Sequence, residues 1–101
     1  MSVSSQYNKD KKELVIRVTG RFDFSLHQDF RKVSDMDKQA IDRIIIDLSK
    51  TDYLDSSALG MLLVLREKIN NNKNAIHLIH AKPDVKKIFQ IANFDQLFTI
   101  G

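Results

Sequence analysis

An Asp-Ser-Ser sequence at residues 55–57 is the part of the chain whose residue types and spacing most directly suggest chemistry. Asp55 has a side-chain oxygen that can cap a helix N-terminus, and Ser56 and Ser57 then bring two hydroxyl groups into the first turn. A serine held there by the backbone is open to a protein kinase. Phosphorylation would add about −1.5 to −2 charges and three acceptor oxygens. The pattern predicts a modifiable serine, although most patterns of this kind are helix caps and nothing more.

Other kinds of reactive site are not indicated. The chain has no cysteine, no Gly-x-Ser-x-Gly sequence, no Walker loop and no dinucleotide fingerprint. His77 and His80 are three residues apart on a predicted strand, so they point to opposite faces and cannot share a metal. His27 is isolated from both. We therefore expect no catalytic activity, no metal and no cofactor.

Length and composition indicate an ordinary globular domain. The 101 residues, 43% hydrophobic and 29% charged, predict one domain spanning residues 1–101. The 16 lysines and arginines are spread along the chain, so the net charge of +3 does not predict nucleic-acid binding. There is neither an apolar run long enough to cross a membrane nor a secretory signal, so we expect the chain to stay in the cytoplasm without membrane insertion.

The first third of the chain predicts a hairpin followed by a helix. A weak strand near Val3–Tyr7 and a firmer one at Glu13–Thr19 flank a polar turn, and Gly20 ends the second strand. Ser25 and Gln28 form a capping-box signature, which predicts that Ser25 caps the next helix.

In the rest of the chain the apolar pattern alternates between the two-residue period of strands and the period of about 3.6 residues of helices. Strands are predicted at Arg43–Leu48, Ala75–Ala81 and Leu97–Ile100. Asp55 is predicted to cap a helix that ends in the asparagines 70–72, and Pro83 to begin a third helix. The order β-β-α-β-α-β-α-β predicts an α/β fold, with a mixed sheet of about four to five strands and helices packed mainly on one face.

The second helix contains a very apolar run, Leu62-Leu63-Val64-Leu65. Burial against the sheet is the favoured interpretation. The alternative is that this helix also docks on a partner.

Two segments together resemble the STAS family, the anti-sigma-factor antagonists of bacterial partner-switching systems. The first is the strand Ile44-Ile45-Ile46-Asp47-Leu48-Ser49 followed by Tyr53-Leu54-Asp55-Ser56-Ser57-Ala58-Leu59-Gly60. The second, Val18-Thr19-Gly20-Arg21-Phe22-Asp23, resembles the family's strand that ends in a Gly-x-hydrophobic-Asp loop. The resemblance extends from about Glu13 to Gly101, and it departs from many members at Ala58, where they have glycine.

The resemblance implies a reversible switch. Family members bind a serine-kinase anti-sigma factor of the histidine-kinase-like ATPase fold, are released when that kinase phosphorylates them, and are reset by a metal-dependent serine/threonine phosphatase. By the family pattern the acceptor is Ser56, with Ser57 as the fallback. The implied partner-binding residues are Asp23, Asp55, Ser56, Ser57 and Leu59.

Two alternatives remain open. The chain could instead be a STAS-type structural subunit of a membrane transport complex. It could also be a partner-switch regulator whose output does not involve a sigma factor, such as biofilm or motility control.

Overall fold

The computed structural model describes residues 2–33, 41–69 and 71–101. Six strands and three α-helices are formed by these residues, with short 3-10 turns at Phe24–Leu26, Lys73–Ala75 and Phe94–Gln96. The strands are β1 Ser2–Asn8, β2 Glu13–Phe22, β3 Arg43–Asp47, β4 Thr51–Leu54, β5 Ile76–Ile79 and β6 Thr99–Ile100. The helices are α1 His27–Val33, α2 Ser56–Lys68 and α3 Pro83–Ile91.

The strands form one mixed sheet. Its order is β1-β2-β3-β5-β6, and β4 pairs with β2 off this path. The β1–β2 hairpin is antiparallel, and the pairs β2–β3, β3–β5, β5–β6 and β2–β4 are parallel. An antiparallel hairpin followed by parallel crossovers is the topology that the order of predicted elements indicated.

Strand β2 is shared between two parallel partners. Its first half, Glu13–Arg17, pairs with β3, and its last residues, Gly20–Phe22, pair with β4, with a register shift between Gly20 and Arg21. Gly20 has a φ of 85°, a conformation that glycine adopts without steric cost, and its N–H donates to the Lys50 carbonyl at 2.8 Å. The buried Thr51 hydroxyl donates to the Val18 carbonyl at 2.8 Å. These bonds hold β4 against the far end of β2.

The core lies on one face of the sheet. Alternate residues of the central strands are fully buried there: Ile16 on β2, Ile44 and Ile46 on β3, and Ile76 and Leu78 on β5. The helices cover this face with an apolar set that comprises Phe30, Ala58, Leu62, Leu65, Val85 and Phe89. On the opposite face the neighbouring strands are linked by the partly exposed ion pairs Arg17–Asp47 and Arg43–Glu13. The predicted fold class, with helices mainly on one face, is confirmed.

The structure differs from the sequence-based expectations in several local details, and three of them bear on the site. Thr51–Leu54 was not among the predicted strands, yet it forms β4 and brings the described sheet to six strands. Gly20 was expected to end β2, but the strand continues through it to Phe22 because β4 supplies new backbone partners. Ser25 was expected to cap the first helix, but it lies within the 3-10 turn Phe24–Leu26 that precedes α1, and Asp23 caps that turn. Asn70, the first of the asparagines predicted to end α2, lies outside the described residues.

Candidate functional site

Two aspartates lie side by side where β2 and β4 end. Phe22 pairs with Leu54 in the parallel ladder, and Asp23 and Asp55 are the next residues on each strand. The Asp55 N–H donates to the Phe22 carbonyl at 3.4 Å, which joins the two strand ends directly. The motif around Asp23 and the motif around Asp55 therefore form one surface.

Asp55 is the N-cap of α2, as its position in the sequence predicts. Its backbone is extended, with φ −124° and ψ −173°, and its side chain accepts a hydrogen bond from the Ala58 N–H at 3.1 Å. Its carbonyl accepts the first helical bond, from the Leu59 N–H at 3.2 Å. The cap fixes the start of the helix at Ser56, so Ser56 occupies the first helical position.

Ser56 is exposed, and its hydroxyl has no hydrogen-bond partner among the residues that the structure describes. Ser57 is half-buried. Because Asp55 takes the Ala58 N–H, helix geometry leaves the N–H groups of Ser56 and Ser57 without an intrahelical acceptor. Free N–H groups and the positive end of the helix dipole favour a phosphate at this position. Of the two serines, Ser56 is the more exposed.

Asp23 is also an N-cap, although that role was not expected. It begins the 3-10 turn Phe24–Leu26, and its carboxylate accepts hydrogen bonds from the Ser25 hydroxyl and, at 3.0 Å, from the Ser25 N–H. Arg21 forms an ion pair with it at 3.4 Å. The hydroxyl bond from Ser25 is the main cause that lowers the pKa of Asp23, against a smaller effect of burial that raises it. Asp23 is thus an ionised carboxylate beside Asp55 at neutral pH.

Ala58 and Leu59, which follow the two serines in α2, are both at least partly shielded from solvent. Leu59 is partly buried and packs against the core, and Ala58 is completely buried. Leu59, predicted to bind the partner, therefore has only part of its side chain available for contact. The methyl group of Ala58, where the sequence departs from the glycine common in the family that it resembles, is accommodated in the core.

Arg21 and Tyr53 belong to the same surface and were not identified from the sequence. The Arg21 guanidinium lies over the Tyr53 ring, 4.4 Å from its centroid, and Tyr53 is 41% exposed. The two residues are partners in the β2–β4 ladder. Each one lies inside a motif that the sequence analysis quoted, but their contact depends on a strand pairing that no local pattern reveals.

Asp47, the last residue of β3, has a structural role. Burial raises the pKa of this carboxyl, but the hydrogen bond from the Ser49 N–H at 3.0 Å and further favourable contacts outweigh that effect, so the pKa is lowered. The aspartate therefore holds the turn between β3 and β4 in its ionised form.

Within the described ranges, no group of three or more histidine, cysteine or acidic side chains is arranged to hold a metal ion. His77 contacts the Asn74 carbonyl at 3.0 Å, and His27 stacks on Phe24 with ring centroids 5.3 Å apart. Crossing a bilayer requires a helix longer and more apolar than any that the described residues form.

Comparisons with known proteins agree on one family. The family model described as the STAS domain matches residues 4–101. A STAS-domain containing protein of Pseudomonas aeruginosa strain UCBPP-PA14 is 44% identical over 101 residues, which covers the whole of both chains.

Two solved structures share the fold at low sequence identity. The unphosphorylated form of the anti-sigma factor antagonist SpoIIAA has a TM-score of 0.75 and 19% identity, and the match covers 99% of this chain and 87% of that one. A sulfate transporter family protein from Wolinella succinogenes has a TM-score of 0.72 and 13% identity, with 84% and 70% covered. The fold thus occurs both in antagonists and in transporter proteins.

Proposed function

The chain belongs to the STAS domain family, and we propose that it acts as an anti-sigma-factor antagonist of the partner-switching type, with Ser56 as its phosphorylation site. The observation that carries the proposal is the exposed Ser56, whose hydroxyl is unpartnered among the described residues, at the first position of a capped helix. The likeness to SpoIIAA supports the fold on which such a switch is built.

In the unphosphorylated state, the proposed partner contacts a surface centred on Ser56. The surface includes Asp23, Asp55, the accessible part of Leu59, and the Arg21–Tyr53 pair. A neutral hydroxyl can be buried in such an interface if it forms a hydrogen bond. We propose that the partner is a serine-kinase anti-sigma factor of the histidine-kinase-like ATPase fold, which Ser56 approaches as its substrate.

Phosphorylation would change the interface without unfolding the domain. The helix N-terminus accommodates a phosphate, because its N–H groups and dipole attract negative charge. The partner surface instead meets a new dianion next to two carboxylates, Asp23 and Asp55. Taking this charge out of water is costly unless a cation meets it, so the complex dissociates. A metal-dependent serine/threonine phosphatase then restores the hydroxyl.

This role requires no catalytic group, metal or cofactor from the chain itself, because ATP and metal belong to the kinase and phosphatase. It also places the protein in the cytoplasm with those partners. Whether the released partner controls a sigma factor or a different output, such as biofilm or motility, is decided by the identity of the kinase.

The decisive experiment compares Ser56→Ala and Ser56→Asp proteins as bait in a lysate of the native organism. We expect the alanine variant to retain a kinase-type ATPase and the aspartate variant to lose it, with a roughly tenfold or greater difference in Kd when the purified kinase is titrated. Ser4→Ala and Ser4→Asp are matched controls, because Ser4 is an exposed serine on β1, outside the proposed partner surface. This pair should bind the kinase equally.

Two other outcomes would change the assignment. If the Ser56→Ala protein is still phosphorylated stoichiometrically, the acceptor is Ser57, and a Ser57→Ala protein should then resist the kinase. If both Ser56 variants retain the same membrane-complex components, the chain is a structural subunit of a transport complex. The fold similarity to a sulfate transporter family protein is the observation that favours this second candidate.

A further inference from the structure

An apolar groove runs along α2, beside the proposed phosphorylation site. It lies between α2 and the segment formed by the 3-10 turn and α1, and it encloses about 560 Å³. Phe24, Met61 and Val64 are among the apolar residues that line it. Phe24 is 68% exposed and Val64 is 55% exposed, which are large fractions for apolar side chains in the described structure. These two residues give the groove an apolar surface that the described part of the chain leaves open.

The charge along the groove has one sign. Two cationic side chains, Arg31 and Lys68, line it, and no aspartate or glutamate is found among its described lining residues. Elsewhere the described surface mixes the two signs, as in the ion pairs of the open sheet face. An apolar floor with a basic edge is complementary to a partner that is apolar on one side and acidic beside it.

Gly60 gives a second, independent indication that another chain can approach the groove. It lies inside α2, where glycine is the least favourable residue apart from proline, and it lines the groove. A Cβ at this position would meet nothing within 4 Å besides the helix itself, so packing among the described residues does not require glycine. A bare helix backbone at the edge of a groove allows another backbone to approach closely.

We infer that this groove binds an amphipathic helix of a partner protein, with apolar residues toward Phe24, Met61 and Val64 and acidic residues toward the basic edge at Lys68. Helices that dock in this way present apolar residues at i, i+3, i+4 and i+7. A second copy of this chain fits less well, because a symmetric contact would place two basic edges against each other. The inference goes beyond the proposed function, since it does not require Ser56 to be phosphorylated.

The experiment is a selection from a displayed library of helical peptides. Apolar residues occupy the i, i+3, i+4 and i+7 positions, and the flanking positions are randomised between glutamate and lysine. We expect selection on the wild-type protein to enrich glutamate, and the selected peptide to shift amide NMR signals along α1 and α2. Enrichment of lysine, or shifts confined to other surfaces, would overturn the inference.

Three variants locate the binding. Val64→Asp should abolish binding of the selected peptide, and Lys68→Glu should weaken it roughly tenfold or more at low salt, with a smaller effect at high salt. Lys86→Glu reverses an exposed lysine on α3, outside the groove, and should leave binding unchanged. All three positions are exposed, and thermal melts followed by circular dichroism verify that each variant is folded. Equal binding by wild type and Val64→Asp would contradict the inference.

Two further measurements test other occupants. Sedimentation of the wild-type protein should show no self-association through the groove. Self-association that Val64→Asp removes would make a second copy of the chain the occupant. Dodecanoate, a small anionic amphiphile, should not displace the selected peptide from the wild-type protein. If dodecanoate binds in the groove and no peptide can be selected, the occupant is a small molecule and the inference is wrong. Ser56→Ala and Ser56→Asp proteins should bind the peptide equally, which separates this result from any failure of the phosphorylation switch.

Discussion

Two aspartates that each cap a helical segment lie next to each other at one end of the sheet. Only one of them accepts a hydrogen bond from the hydroxyl of a serine that follows it. The carboxylate of Asp23 accepts hydrogen bonds from both the N–H and the hydroxyl of Ser25, within its own turn. The carboxylate of Asp55 instead accepts a hydrogen bond from the N–H of Ala58, the residue after the two serines. The hydroxyl of Ser56 is therefore unpartnered among the described residues, whereas that of Ser25 is engaged.

The difference follows from what each aspartate caps. Asp23 begins a three-residue 3-10 turn, in which the nearest donors belong to Ser25. Asp55 begins a helix of 13 residues, in which the standard capping bond goes to the third helical residue. A similar pair of residue types thus gives a closed turn in one place and an available hydroxyl in the other. Three predictions test this contrast, in order of decreasing effect.

The largest expected effect is on phosphorylation. Ser56→Ala should abolish phosphate incorporation by the partner kinase, whereas Ser25→Ala should leave it intact, because the Ser25 hydroxyl is already bonded to Asp23. Intact-mass spectrometry after incubation with the kinase and ATP measures both. A phosphate on Ser25 in the wild-type protein would show that closure of the turn does not protect its serine.

The second effect concerns the stability of the α2 cap. Asp55→Ala should lower the free energy of unfolding by about 1 kcal/mol, because the Ala58 N–H loses its acceptor. Asp55→Asn is the matched control and should retain most of the stability, since asparagine caps helices as well as aspartate does. Urea unfolding followed by circular dichroism gives both values. Identical midpoints for wild type and Asp55→Ala would remove the capping role.

The smallest expected effect is the pH dependence of the stability that Asp23 contributes. Because its pKa is lowered in the folded protein, its ionised form stabilises the fold above the ordinary aspartate pKa of about 3.9, and this contribution is lost as the pH falls through the lower folded value. The stability advantage of wild type over Asp23→Asn should therefore be present at neutral pH and shrink below about pH 4. Urea melts at several pH values measure it.

A side-chain NMR titration tests the physical cause of that shift. In Ser25→Ala protein the pKa of Asp23 should move up toward its ordinary value, because the hydroxyl bond that lowers it most is gone. An unchanged pKa in this variant would assign the shift to the contacts that the variant retains, the backbone N–H of residue 25 and Arg21.

Much of the fold could be predicted from the pattern of the sequence. The isoleucine-rich strand β3, the apolar stripe of α2 and the proline at the start of α3 all predict elements that the structure contains. Strand β4 was not predicted, because it has only four residues, and two of them, Asp52 and Tyr53, are exposed. Its extended form depends on the hydrogen bonds that the end of β2 supplies.

The candidate site could be predicted only in part, because some of its features also depend on the pairing of β2 with β4. Asp55 as a cap could be derived from its own neighbours. The cap of the preceding turn was assigned to Ser25 rather than Asp23, because the sequence did not indicate that β2 would continue to Phe22. Once it does, Asp23 becomes the first residue after the strand and takes the capping position.

The sequence by itself determined the buried strand, the apolar faces of the helices and the Asp-Ser-Ser cap, because each depends on residues within about four positions of one another. Only the tertiary structure decided that Asp23 lies beside Asp55, that Arg21 covers Tyr53, and that Val64 is exposed in a basic groove while Leu62 and Leu65 are buried. These arrangements join residues far apart in the chain. Their register follows from how the whole sheet and its helices pack, which no short stretch of sequence specifies.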